Sequence, residues 1–248
     1  MMLPDVYNTK ARIAPILAVV ALPVLSMCLF VEKSPDSSWL APPIALVALW
    51  MLMSVLGRSR GKALEKGLFK KWGGSPTLQM LRYKSSTLPR EQLIAIHSHF
   101  AKASNVQLPD AASEAHDLGK ADVSYEAITA YLRDATRDRK VFPLVFDELC
   151  NYGFVRNLFG LRPFGVALGI VMALAIGCWF TWIHPSNADI RVIAIAMNCL
   201  SSIIWLLWPT ESTMRQVADS YAQKLINAGL QIIKLDQKPT TKSPLILP

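Results

Sequence analysis

Four stretches of the chain lack the charged positions that elsewhere recur every few residues: 13–31, 39–56, 164–183 and 192–208, of 19, 18, 20 and 17 residues. As helices rising 1.5 Å per residue, each is close to the roughly 20 residues that cross about 30 Å of hydrocarbon. The pattern predicts four transmembrane helices in two hairpins, 1–56 and 163–208.

Between and after the hairpins, apolar positions alternate with polar ones in shorter periods. Residues 57–72 continue the second span, and Gly73-Gly74 with the Ser75-Pro76 breaker ends it. The segment 77–83 reads as a short strand. A helix follows from Thr87, with Pro89 in its first turn and Ile94, His97 and Phe100 along one side. Residues 105–119 read as a loop, and 122–138 as a helix capped by Asp122 that buries Tyr125, Ile128, Leu132 and Ala135. Pro143 opens a helix carrying Val145, Phe146, Leu149 and Phe154 towards the third span. After the fourth span, Pro209 and Thr210 start an amphipathic helix with Met214, Val217, Tyr221 and Leu225 on one face, stopped at 227–229. A second strand at 230–235 then pairs with 77–83, since a lone strand leaves its backbone groups unpaired. The expected fold is an α-helical membrane protein with four spans (2+2), a mainly helical cytoplasmic insertion at 57–162, and a two-stranded β element tying the 209–248 segment to it.

Composition agrees: 52% of the 248 residues are hydrophobic, 18% are charged, and the mean hydropathy is +0.30. An ordinary soluble globule, a disordered chain, collagen and a secreted disulfide scaffold are excluded. The net charge of +8 is concentrated between the hairpins, where 57–162 holds 17 Lys and Arg against 11 Asp and Glu. Arg58, Arg60, Lys62, Lys66, Lys70 and Lys71 follow the second span, so that flank is expected to be cytoplasmic, and both termini with it. Lys10 and Arg12 precede the first span as in a signal peptide, but its apolar core is long and no small-residue cleavage site follows. Cys28, Cys178 and Cys199 fall within spans and Cys150 in the cytoplasmic stretch, which leaves no plausible disulfide pair.

Candidate chemistry is sparse. His97 and His99 are two apart and so on different faces of a helix, and no phosphate loop, dinucleotide fingerprint or nucleophile elbow occurs, so neither a metal, a cofactor nor an enzymatic activity is expected. Arg133, Arg137, Arg139 and Lys140 offer a cradle for an anion, with Arg156 and Arg162 as further donors and Trp72 and Tyr83 as stacking surfaces for bases. The competing reading pairs Arg133 and Arg137 with Asp134, Asp138, Asp147 or Glu148 and buries Trp72. In the third span Gly165, Gly169, Ala173 and Gly177 recur every four residues, a face for close helix packing. In the fourth, Asn198, Ser201, Ser202 and Trp205 form a polar stripe, read either as an interhelical contact or as a pore lining.

The segments Trp72-Gly-Gly-Ser-Pro-Thr77, Tyr131-Leu-Arg-Asp-Ala-Thr-Arg-Asp138 with Phe142-Pro-Leu144, and Asn151-Tyr-Gly-Phe-Val-Arg-Asn-Leu-Phe-Gly-Leu-Arg-Pro163 resemble a group of uncharacterised bacterial inner-membrane proteins. The resemblance implies a multi-pass inner-membrane protein with two spans, a cytoplasmic insertion and two more spans. More loosely, the layout is similar to membrane effectors of phage defence, which form channels under control of a nucleotide or oligonucleotide made by a partner nucleotidyltransferase. The expectation is therefore a homo-oligomeric channel or membrane-disrupting effector, in contact with lipid and with copies of itself, gated by a nucleotide or single-stranded nucleic acid. Gly153 and Gly160 would be hinges of a gate, or of a static elbow. The alternative is a non-conducting anchor or scaffold that recruits a soluble protein.

Overall fold

The computed structural model describes residues 6–29, 41–182 and 188–236. Residues 30–40 and 183–187, which hold the 32–38 connector between the first two expected spans, most of the 184–189 connector between the last two, the ends of the first and third expected spans and the start of the second, lie outside the described residues, as do 1–5 and 237–248. Every regular element among the described residues is a helix: α1 (Val6–Cys28), α2 (Ala41–Lys71), α3 (Pro76–Leu81), α4 (Arg90–Ser104), α5 (Ala111–His116), α6 (Leu118–Ala135), α7 (Pro143–Trp182), α8 (Ala188–Leu207) and α9 (Glu211–Asp236). Val6–Cys28, Pro143–Cys178 within α7, and Ala188–Leu207 are long and apolar enough to cross a membrane, which fits a membrane protein. Leu17, Val171, Leu174, Ile193 and Leu207 point outward from them, the arrangement expected of helices whose solvent is lipid.

The chain divides into two compact units, Met1–Leu68 with Cys150–Val217, and Phe69–Leu149 with Ala218–Pro248. The divisions fall inside α2, α7 and α9, so 57–68 and 150–162 belong with the apolar helices rather than with the stretch between them.

In the first unit Ile16, Val19, Met53, Leu158, Leu161 and Trp205 form the core. In the second, Leu81, Ile96, Phe100, Tyr125, Ile128 and Leu132 close over Leu225, Ile226 and Ile233 of α9.

The β element is not formed. At 77–83, Ser75 Oγ accepts from Leu78 N at 3.4 Å with Pro76 in the first helical position, an N-cap that starts α3 instead of a strand. At 230–235, α9 simply continues, burying Leu225, Ile226 and Ile233 at helical spacing. Gly229, expected to stop that helix, has a packing role: a Cβ there would lie 2.8 Å from Leu132 Cδ2 and 3.2 Å from Phe100 Cε2. With both segments helical, their backbone groups bond within their own helices and need no strand partner.

Two further expectations shift. The 105–119 loop contains α5, capped by Asp110, whose Oδ1 accepts from Ser113 N at 2.8 Å. The next helix begins at Leu118, not Asp122, because Asp117 Oδ1 caps it by accepting from Lys120 N at 2.9 Å. Asp122 is thereby left for a tertiary contact. The Gly73-Gly74 turn does form, with φ of +79° and +130°, backbone that residues with side chains rarely adopt.

Candidate functional site

The second unit holds a cleft of about 540 Å³. One wall is a single face of α6, on which Asp122, Glu126, Thr129 and Arg133 follow at helical spacing. The other is Phe69 and Lys70 in the last turn of α2, the Gly73-Gly74 turn, and Ser75, Leu78 and Arg82 on and just after α3. Arg82 fastens the walls: Nε and Nη2 donate to the two oxygens of Asp122 at 2.8 and 2.6 Å, and Nη1 donates to the Gly73 carbonyl at 2.6 Å. A Cβ on Gly74 would lie 2.8 Å from Arg82 Nη2, so the turn needs glycine for space as well as for φ.

With Arg82 and Asp122 neutralising each other, the charges left are Lys70, Arg133 and Glu126, all exposed and without an ion pair among the described residues. Two cations and a carboxylate around one cleft have the charge and hydrogen-bonding groups to match a ligand that carries both an anionic group and a donor.

Beside the cleft lies a buried polar cluster. Glu114 accepts from Tyr83 N at 2.8 Å, Lys84 N at 3.2 Å and the Tyr125 hydroxyl at 2.6 Å. His97 Nε2 lies 2.8 Å from the Leu81 carbonyl, so that nitrogen carries the proton, and its ring stacks on Tyr125 and meets Tyr83 edge-on. Burial lowers the His97 pKa, with the Leu81 bond and the Glu114 charge pulling the other way. Burial and the bond to Glu114 push the Tyr125 hydroxyl far up. These groups fix the chain after α3 to α5 and α6.

Of the expected anion ligands, only Arg133 lines the cleft. Arg137, Arg139 and Lys140 lie past the end of α6, exposed, with Arg139 over the Phe146 ring at 5.2 Å and the Lys140 amide bonded to Asp138. Trp72 is half-buried, its ring tilted against Phe69 at 5.9 Å, and Tyr83 packs on His97.

Arg156 and Arg162 belong to the first unit, where the Asn151–Pro163 segment joins three other helices. Tyr152 OH and Arg156 Nη1 donate to Glu65 of α2 at 2.5 and 3.2 Å. Asn157 Nδ2 donates to the Ala11 carbonyl of α1 at 2.6 Å, inside the π turn Thr9–Ile13. Arg162 donates to the Trp205 and Leu206 carbonyls at 3.2 and 2.5 Å, capping α8 where its last turn has no intrahelical donors. Gly153 sits against Ala11 and Tyr7, and a Cβ on Gly160 would lie 2.6 Å from Gly61 N and 2.7 Å from Gly57 O. Both glycines mark close helix crossings.

Gly165 abuts Trp205, and Gly169 abuts Ser202 and the Asn198 carbonyl, whereas a Cβ on Gly177 would have, among the described residues, only Ile195 Cδ1, at 4.0 Å. Ala173 is half-buried. Asn198, Ser201 and Trp205 are buried within the chain. Asn198 Nδ2 donates to Ser26 Oγ at 2.7 Å, and Ser202 Oγ donates to the Val166 carbonyl at 3.1 Å. The polar stripe therefore lies at interhelical contacts.

Of the cleft, Lys70 and Asp122 entered the sequence reading only as a flank cation and a helix cap, and Arg82, Glu126 and Thr129 were not among its candidate ligands, nor was the Gly57–Gly61 crossing foreseen. Gly57-x-x-x-Gly61 has the same four-residue spacing as Gly165 and Gly169 and carried a readable signal. No group of three or more His, Cys, Asp or Glu side chains among the described residues is placed to hold a metal. Comparison with protein-family models, with curated proteins and with solved structures gives no match to this chain.

Proposed function

We propose that the protein is a four-span inner-membrane protein, both termini cytoplasmic, whose second unit binds an anionic, nucleotide-type ligand and thereby controls an assembly of several copies that conducts ions or disrupts the membrane. The observation that carries the ligand part is the cleft with Lys70 and Arg133 on opposing walls, neither in an ion pair among the described residues. The four-span topology rests on the apolar runs and the basic flank at 58–71. The channel output and a role in phage defence rest on the layout of spans and on the basic charge between the hairpins alone, which is analogy of architecture.

The test is a titration of the full-length protein in nanodiscs with nucleoside phosphates and short single-stranded oligonucleotides, together with ion flux from liposomes. Replacing Lys70 and Arg133 together by Ala should weaken binding at least about tenfold and flatten its salt dependence, with the melting temperature unchanged because both side chains are exposed. Unchanged binding would remove the cleft as the site.

Burial of Asn198, Ser201 and Trp205 within the chain favours a second reading, a non-conducting anchor that recruits a soluble partner. It predicts no flux with any ligand and a co-purifying protein.

A further inference from the structure

Inside the first unit, the contact between α1 and α8 leaves a hydrogen-bond account that does not close. Asn198 Nδ2 donates to Ser26 Oγ at 2.7 Å and to the Ala194 carbonyl at 2.9 Å, and Ser26 Oγ donates to the Pro23 carbonyl at 2.7 Å. Asn198 Oδ1 and Ser201 Oγ, both buried, have no partner among the described residues. A third group joins them. Pro23 lies inside α1 and has no N–H, so the Val19 carbonyl lacks the donor that residue i+4 supplies in an unbroken helix.

These groups share one level. Ser26 meets Asn198, while Ile16 and Val19 share a core cluster with Trp205, so α1 and α8 run antiparallel. Ser201 follows Asn198 by about one turn and Pro23 precedes Ser26 by about one turn, so Ser201 and Pro23 fall at the same level of the antiparallel pair. The groups that call for a partner are then the unsatisfied Asn198 Oδ1 and Ser201 hydroxyl, with the Val19 carbonyl, whose helical donor Pro23 removes, as a further acceptor.

We propose that the α1–α8 seam binds one internal water molecule, which donates to Asn198 Oδ1 and to the Val19 carbonyl and accepts from the Ser201 hydroxyl. Three partners is the usual number for a buried water, and leaving such groups unpaired among apolar helices is costly. A monovalent cation fits the same oxygens less well. It would leave the Ser201 proton without an acceptor, and no carboxylate within the cluster offsets its charge. The proposal makes α1–α8 the hydrated seam of the unit and does not depend on the ligand cleft.

The test uses full-length protein in nanodiscs. Radiolytic hydroxyl labelling read by mass spectrometry should modify Val19 and Pro23 several-fold faster than Leu158 and Leu161, which are buried in the same unit beside the glycine crossing. Equal, slow labelling at all four would overturn the bound water. A double-mutant cycle gives a second readout, because Pro23→Ala restores a donor to Val19 and Ser201→Ala removes the donor to the water. The cost of Ser201→Ala in the unfolding equilibrium should fall about tenfold in the Pro23→Ala background, and additive effects would overturn the bridge. Melting midpoints should be the same in sodium, potassium and choline chloride. A cation-specific rise that Asn198→Leu abolishes would replace the water by a cation.

Discussion

The two units hold their helices together by opposite means. Where α2 crosses α7, contact is made by taking side chains away: Gly57, Gly61 and Gly160 bring backbone against backbone, with no room for a single carbon. Where α3, α5 and α6 meet in the second unit, contact is made by one long side chain, Glu114, which gathers two backbone amides and a phenol. The difference lies in what each contact uses. A glycine crossing holds by the close van der Waals approach of two backbones, whereas at the carboxylate junction an apolar core is already driven together and polar ties select which arrangement wins. A glycine crossing should therefore fail on added volume, and a carboxylate junction on altered hydrogen-bonding character.

The sharpest way to break the first kind of contact is Gly160→Leu. Its Cβ alone would meet Gly61 N and Gly57 O, both backbone atoms that have no alternative rotamer. The expected cost is at least ~3 kcal/mol, at the upper end for overpacked cores, seen as loss of a cooperative melt in detergent. A melt within ~0.5 kcal/mol of the natural protein would mean that the crossing is loose.

The matching change in the second unit is Glu114→Gln, which keeps the shape and replaces one acceptor oxygen by a donor. One of the Tyr83, Lys84 and Tyr125 donors then faces an N–H, at a cost of about 2 kcal/mol in the denaturant midpoint, with secondary structure intact. His97 sharpens the contrast further. Its folded pKa lies below the ordinary 6.5 because it is buried, so the unfolded chain takes up a proton first as the pH falls. Stability of this unit is then complete above pH 6.5 and declines below it, while His97→Gln, which can still donate to the Leu81 carbonyl, should remove that part of the slope. An unaltered slope would assign the pH dependence to other groups.

These contacts differ in how readable they were. The apolar runs, the start of α7 at Pro143 and the Gly73-Gly74 turn could be read because each is fixed by neighbours within a few residues. The 230–235 segment misled because Gly229 looks like a helix stop in one dimension, and only the approach of Leu132 and Phe100 gives it a packing role. Glu114 and Arg82 reach partners 11 to 40 residues away, so no local pattern marks them. Arg133 was legible as one of a basic cluster, but its cleft partner Lys70 was hidden among cations that the membrane flank already accounted for.

The smallest expected effect is the most discriminating test of the glycine argument. Gly165, Gly169 and Gly177 look equivalent in sequence, spaced by multiples of four on α7. Their surroundings are not: a Cβ on Gly165 would lie 2.5 Å from Trp205 Cγ, whereas on Gly177 it would meet, among the described residues, only Ile195 Cδ1 at 4.0 Å. Gly177→Ala should therefore be neutral or stabilising by up to ~1 kcal/mol, because alanine favours the helix and no described side chain has to move. Gly165→Ala should destabilise, since the Trp205 ring would have to shift. If the two substitutions cost the same in a thermal melt, it is the four-residue spacing, and not the local approach of α8, that makes these glycines necessary.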